Sequence, residues 1–167
     1  MEKIEAAFDR SEPTGTRVVM PKHYEIAKSG AALLPWSEVS TRLEQATNYW
    51  LATTMPDGRP HVTPVWGAWV DQTFYFDGIY TARWAQNLAA NAAMSIHLES
   101  GTDVVIVDGV GDDSTPNAEV CARIVASWTA KYGRLIPDPS TGMYRLRPRS
   151  IRAWSRFPHD ATRWRFE

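Results

Sequence analysis

Hydrophobic and polar positions alternate most clearly between Tyr49 and Asp77, a stretch rich in aromatic and β-branched residues. Strands are predicted over Tyr49–Thr54, Pro60–Val70 and Thr73–Phe76, giving a three-stranded antiparallel meander. Pro56-Asp57-Gly58 supplies the first turn: proline presets φ, aspartate binds its own backbone, and glycine accepts φ > 0. Asp71-Gln72 closes the second hairpin. Pro64 and Gly67, together with the bulky Trp66 and Trp69, predict a bulged middle strand whose backbone approaches a flat ligand.

The same reading extends along the chain. Residues 1–30 form an N-terminal arm, with a short helix over Glu2–Phe8 and an unassigned segment from Lys22 to Ser29; residues 31–167 form one domain. A helix runs from Pro35-Trp36-Ser37 to about Thr47, with Ser37 as N-cap and Val39, Leu43 and Ala46 on one face. A second spans about Ala82–Ala90, with Trp84, Ala85 and Leu88 inward and Asn91 at its end. Met94–Leu98 and Asp103–Val110 are strands, and the apolar run Val104–Val107 marks the latter as central. The longest helix follows Thr115 as N-cap and Pro116 as first residue, and stops at Gly133. Met143–Trp154 and Thr162–Phe166 are the last strands. Six or seven antiparallel strands with short helices predict a mainly β fold, a small barrel; no βαβ alternation supports a Rossmann sheet.

Composition narrows the function classes. A net charge of −1 gives no global attraction to nucleic acid or an anionic membrane, and no apolar run is long enough to span a bilayer. Met1-Glu2-Lys3 leads into no signal-peptide core, and the single cysteine, Cys121, fits a reducing cytoplasm as a buried thiol. His23, His61, His97 and His159 show no metal-ligand spacing, so no metal site is expected. No G-x-S-x-G elbow is present, Gly109-Val110-Gly111 is not a dinucleotide fingerprint, and Asp112-Asp113 reads as a solvated turn. Eight of the fourteen arginines lie from Arg134 onward, opposed along that stretch only by Asp138, Asp160 and Glu167. They serve either as solvated, edge-protecting strand faces or as a groove for a polyanion.

One constellation points to chemistry. Thr63-Pro64-Val65-Trp66 leads through Phe76-Asp77-Gly78 to Thr81-Ala82-Arg83, where the amides of a helix start and a guanidinium suit a phosphate. Ala52-Thr53-Thr54, Asp57 to Trp66, Phe74-Tyr75-Phe76, Arg83 to Leu88, Ser95 to Ser100 and Ala161 to Phe166 together resemble the pyridoxamine 5′-phosphate oxidase-like split β-barrels. The Thr-Pro-Val-Trp segment and the Arg-Trp-Arg-Phe ending are similar to its F420-dependent actinobacterial branch. The resemblance implies that Thr63, Pro64, Val65 and Trp66 lie along a flavin or deazaflavin ring, with Phe76, Asp77 and Arg83 near its ribityl and phosphate groups. It places Trp84 where the family often has a phosphate-binding lysine, and Asn87 in support of the turn. It further implies a homodimer in which Trp154 and Arg163 of a second subunit complete the site, with Trp66, Trp69 and Trp154 as apolar walls. The expected activity is hydride transfer between reduced F420, or FMN, and a small organic substrate. A non-catalytic flavin, deazaflavin or haem carrier and a true pyridoxamine 5′-phosphate oxidase are the alternatives.

Overall fold

A computed structural model describes residues 11–21 and 32–167. The helix and the segment expected at Glu2–Phe8 and Lys22–Ser29 lie outside the described residues. Nine strands and three α-helices follow in chain order: β1 (Gly15–Arg17), α1 (Trp36–Gln45), β2 (Tyr49–Thr54), β3 (Pro60–Val65), β4 (Ala68–Val70), β5 (Thr73–Phe76), α2 (Arg83–Ala90), β6 (Ala93–His97), β7 (Val104–Ser114), α3 (Ala118–Tyr132), β8 (Met143–Trp154) and β9 (Thr162–Arg165). A 3₁₀ turn, Pro139–Thr141, precedes β8.

The expected three-stranded meander does not form. Its middle strand breaks at Trp66-Gly67: β3 pairs β2, whereas β4 pairs β5, and β5 joins β8. Gly67 explains the break, since a Cβ there would sit 2.3 Å from the Phe74 ring and 2.6 Å from the Tyr75 carbonyl oxygen. The main path runs β1-β9-β8-β7-β6-β2-β3, antiparallel throughout, with β3 at a free edge. The organising element is the long β7–β8 ribbon. The start of β8 pairs β5 through Tyr144–Leu146, and its end pairs β9 through Ser150–Ala153. The register of the ribbon shifts at Asp108/Gly109, and only a glycine fits there, because an added Cβ would lie 2.1 Å from the Arg147 carbonyl oxygen. That irregularity lets one strand serve two sheet directions, the geometry of a split barrel.

Register assigns the faces. Thr63, Leu51, Ile96, Val107, Ile151 and Trp164 stand opposite one another across six strands, and all but the edge residue Thr63 are buried. They join Val39 and Leu43 of α1 and Trp84 and Leu88 of α2 in the main core. A smaller core beneath α3 gathers Val70, Tyr75, Ile124, Trp128 and Met143.

Helix ends depart from the sequence reading. α1 starts at Trp36 after Pro35, with no side-chain cap from Ser37. α3 starts two residues later than expected, capped by Asn117, whose Oδ1 accepts the Val120 N–H at 3.0 Å. The cause is β7, which continues to Ser114 opposite Met143 and holds Ser114 and Thr115 extended. Gly133 ends α3 at φ 62°, as expected. Asp112 and Asp113 therefore lie in a strand and not in a turn, and Asp112 accepts from Arg145 Nε at 2.7 Å and Arg147 Nη2 at 2.8 Å. Arg152 likewise donates to Asp108 at 2.8 Å, so three of the arginines that look unopposed along the chain meet acids across the ladder. Cys121 is half-exposed, with its thiol donating to the Pro116 carbonyl and its pKa raised by desolvation.

Candidate cofactor site

Strand β3 is an edge whose residues alternate between exposed (Pro60, Val62, Pro64) and half-buried (His61, Thr63, Val65). Thr63, Pro64 and Val65 thus occupy an accessible edge, whereas the sequence reading made this the middle strand of a meander. Trp66 stands just beyond it and is already engaged: its indole stacks on Tyr132 at 4.5 Å and 6°, and the Arg134 guanidinium lies 5.5 Å from its centroid.

The loop from Asp77 to Thr81 is exposed and leads into α2, where Arg83 is exposed at the first position. The first amides of a helix lack intrahelical acceptors, so this start offers N–H donors beside a cation. Three residues expected at the cofactor belong instead to the core. Phe76 is fully buried; Trp84 is also buried, 5.1 Å from the Phe76 ring and 4.6 Å from that of Tyr144. Trp84 acts from below: a Cβ on Gly78 would meet its ring at 2.4 Å, so the indole sets how closely the loop lies on the barrel. Asn87 is fully buried and does not support the turn; its Nδ2 donates to Thr53 Oγ1 at 3.0 Å, pinning α2 to β2. Its Oδ1 has no partner among the described residues. Between Asp77-Gly78 and the start of β8 lies a cleft of about 320 Å³, floored by Tyr144 and edged by Asp113 and Thr115.

Trp154 and Arg163 lie elsewhere. Cross-strand register puts Pro64, Trp50, His97, Ile106, Arg152 and Arg163 in one row on the outer face of the sheet, with Trp154 opposite Val104 nearby. Trp154 and Arg163 are four and five strands from β3 along the path. At about 4.8 Å per strand that is roughly 19 and 24 Å along the sheet, so a single chain keeps them apart from the edge. The Nε of Arg163 is buried without a partner among the described residues. Trp69, expected as a wall, is buried in the main core. The outer face also carries Val62, which is 51% exposed, and Trp50 stacked on His97 at 6.4 Å and 11°.

The sequence reading missed the group behind Trp66. Lys131 Nζ donates to Tyr49 Oη at 2.8 Å and to the Gly67 carbonyl at 3.3 Å, and burial pulls its pKa down to about 8. Burial raises the pKa of Tyr49 and of Tyr132. The helical pattern sets Lys131 and Tyr132 on the face of Val120, Ile124 and Trp128, but nothing in it signals that they meet Tyr49 and Gly67, which lie more than sixty residues earlier.

An antiparallel split β-barrel with an open edge strand beside an arginine-bearing helix start is the architecture of a flavin-binding class of proteins. A family profile described as pyridoxamine 5′-phosphate oxidase matches residues 36–155, and the chain belongs to that family. Solved structures share the fold. One described as an F420 reductase is 23% identical, with 67% of this chain and 94% of that chain covered and a TM-score of 0.54. A conserved hypothetical protein from Mycobacterium tuberculosis, Rv2991, is 21% identical over 75% and 88%, with a TM-score of 0.59. HutZ, a haem storage protein from Vibrio cholerae, is 22% identical over 67% and 88%, with a TM-score of 0.53. No functionally curated protein matches. Among the described residues no helix is long and apolar enough to cross a membrane.

Proposed function

We propose that the protein is a homodimeric oxidoreductase that passes hydride between F420 and a small organic substrate, with FMN as the competing cofactor. The observation that carries the reading is the division of the site: β3 and Arg83 stand at one end of the outer sheet face, Trp154 and Arg163 at the other. A two-fold axis through that face lays the β8–β9 end of one copy over the β3 edge of its partner, twice. Trp50, Val62, Pro64 and Ile106 give the face an apolar surface to bury, and Arg152 carries its own counter-charge in Asp108.

The residues present fit the cofactor. Arg83 and the first amides of α2 hold its phosphate, and Trp84, buried beneath Gly78, shapes the loop without adding a charge. One arginine matches the single charge of the F420 phosphodiester better than the near-dianionic monoester of FMN. Thr63, Pro64 and Val65 orient the ring at the strand edge, and Trp154 of the second copy excludes water from it. When bound, the cofactor supplies the hydride chemistry. Calorimetric titration with F420 and with FMN, beside light-scattering mass in solution, tests this: binding of neither, or a monomer at micromolar concentration, refutes it. A non-catalytic carrier, the competing reading, binds tightly and turns over no acceptor in a broad panel of quinones and enones.

A further inference from the structure

Gly67 belongs to neither neighbouring ladder: β3 ends at Val65 opposite Tyr49, and β4 begins at Ala68 opposite Tyr75. It is buried, so its N–H and C=O must find partners outside the sheet. Both come from the last turn of α3. The Tyr132 hydroxyl accepts the Gly67 N–H at 3.0 Å and donates its own proton to the Thr47 carbonyl at 2.8 Å. Lys131 donates to the Gly67 carbonyl at 3.3 Å and to Tyr49 Oη at 2.8 Å, and Tyr49 donates onward to the Leu43 carbonyl at 2.5 Å. The Tyr132 ring also stacks on Trp66. Two consecutive side chains thus grip both backbone groups of one residue and the indole of the residue before it.

The placement matters because β3 has a partner strand on one side only among the described residues. Among the described residues β3 pairing ends at Val65, and the hydrogen bonds given to Gly67 beyond it all come from this clasp. We propose that Lys131 and Tyr132 are positioning residues for the cofactor strand, holding Thr63 to Trp66 in the geometry that receives the ring through the Gly67 peptide. The inference rests on the reading of β3 as the ring-bearing strand.

Tyr132→Phe keeps the stack on Trp66 and strips the Gly67 N–H of its acceptor; Lys131→Met keeps the stem and leaves the Gly67 carbonyl only the Tyr132 hydroxyl, 3.2 Å away. Hydrogen exchange resolved to peptides, with calorimetric titration of F420 and FMN, reads both consequences. Tyr132→Phe is expected to weaken binding about fivefold or more, the effect of one buried group left unpaired, and Lys131→Met about twofold to fivefold. Exchange should rise across residues 62–68 while residues 104–110 in the β7–β8 ribbon stay protected, a locality that general destabilisation would not give. Variants that bind and exchange like the wild type overturn the clasp, as does faster exchange spread evenly over both segments. A wild type that binds neither cofactor overturns the reading beneath it; the exchange pattern then judges the clasp on its own.

Discussion

Lys131 offers a stability test whose sign follows from its surroundings. Its side chain reaches into the corner between α3, Tyr49 and Gly67, where burial lowers its pKa from an ordinary 10.5 to about 8. The folded protein therefore sheds this proton near pH 8, and the unfolded chain keeps it until about pH 10.5. Between those values the unfolded state binds more protons, so this contribution makes the fold more stable as pH rises. At about 1.4 kcal/mol per pH unit the full displacement corresponds to about 3 kcal/mol. Because the corner is partly open to solvent, screening reduces the expected effect to about 1–2 kcal/mol. Lys131→Met removes the proton and also leaves the Gly67 carbonyl to the Tyr132 hydroxyl alone, 3.2 Å away, which adds a pH-independent loss of about 0.5–1.5 kcal/mol. The informative quantity is thus the change in the difference. Urea unfolding of both proteins at pH 7.0 and 9.5 should show the gap between them widening by about 1–2 kcal/mol at the higher pH. Measurements stay below pH 10, above which Tyr49, held neutral by burial, begins to act in the opposite sense. Parallel pH dependences would refute the buried-amine argument.

Gly67→Ala places a methyl group 2.3 Å from the Phe74 ring and should cost about 1–3 kcal/mol in urea unfolding, or abolish soluble expression. Asp112→Asn leaves Arg145 and Arg147 without their shared carboxylate, and should lower stability by about 1 kcal/mol, less at high salt, as read from thermal midpoints in 0.05 and 1 M NaCl. Trp50→Glu puts a charge on the outer face one strand in from the β3 edge while leaving the core row untouched; sedimentation should show a monomer with native circular dichroism. Arg83→Ala should weaken F420 binding about tenfold or more by calorimetry, with a shallower salt dependence than the wild type.

Local signals carried much of the fold. Alternation and β-branching located β2, β5, β6 and β8, and the Pro56-Asp57-Gly58 turn, where Gly58 has φ 87°, marked the β2–β3 hairpin. Features set by distant parts of the chain were not legible. The break at Gly67 follows from Phe74 and Tyr75 crowding it, and the late start of α3 from Ser114 remaining paired with Met143. The arginine excess looked unopposed because its acids, Asp108 and Asp112, lie on β7, more than thirty residues earlier. At the candidate site, β3 and Arg83 are exposed to solvent, the position the sequence reading needs for residues that meet a ligand. The site was misjudged where a large side chain had two possible uses: Phe76, Trp84 and Trp69 went to the core.

The free edge of β3 has a further consequence, for proteostasis. Pro60 and Pro64 have no N–H, so an edge that a neighbouring chain would otherwise extend lacks two of its donors. A growing cross-β stack needs every rung filled on both strands, and this template fails at two rungs within six residues. The edge can keep its carbonyls open to a small molecule for the lifetime of the protein and still not seed a fibril.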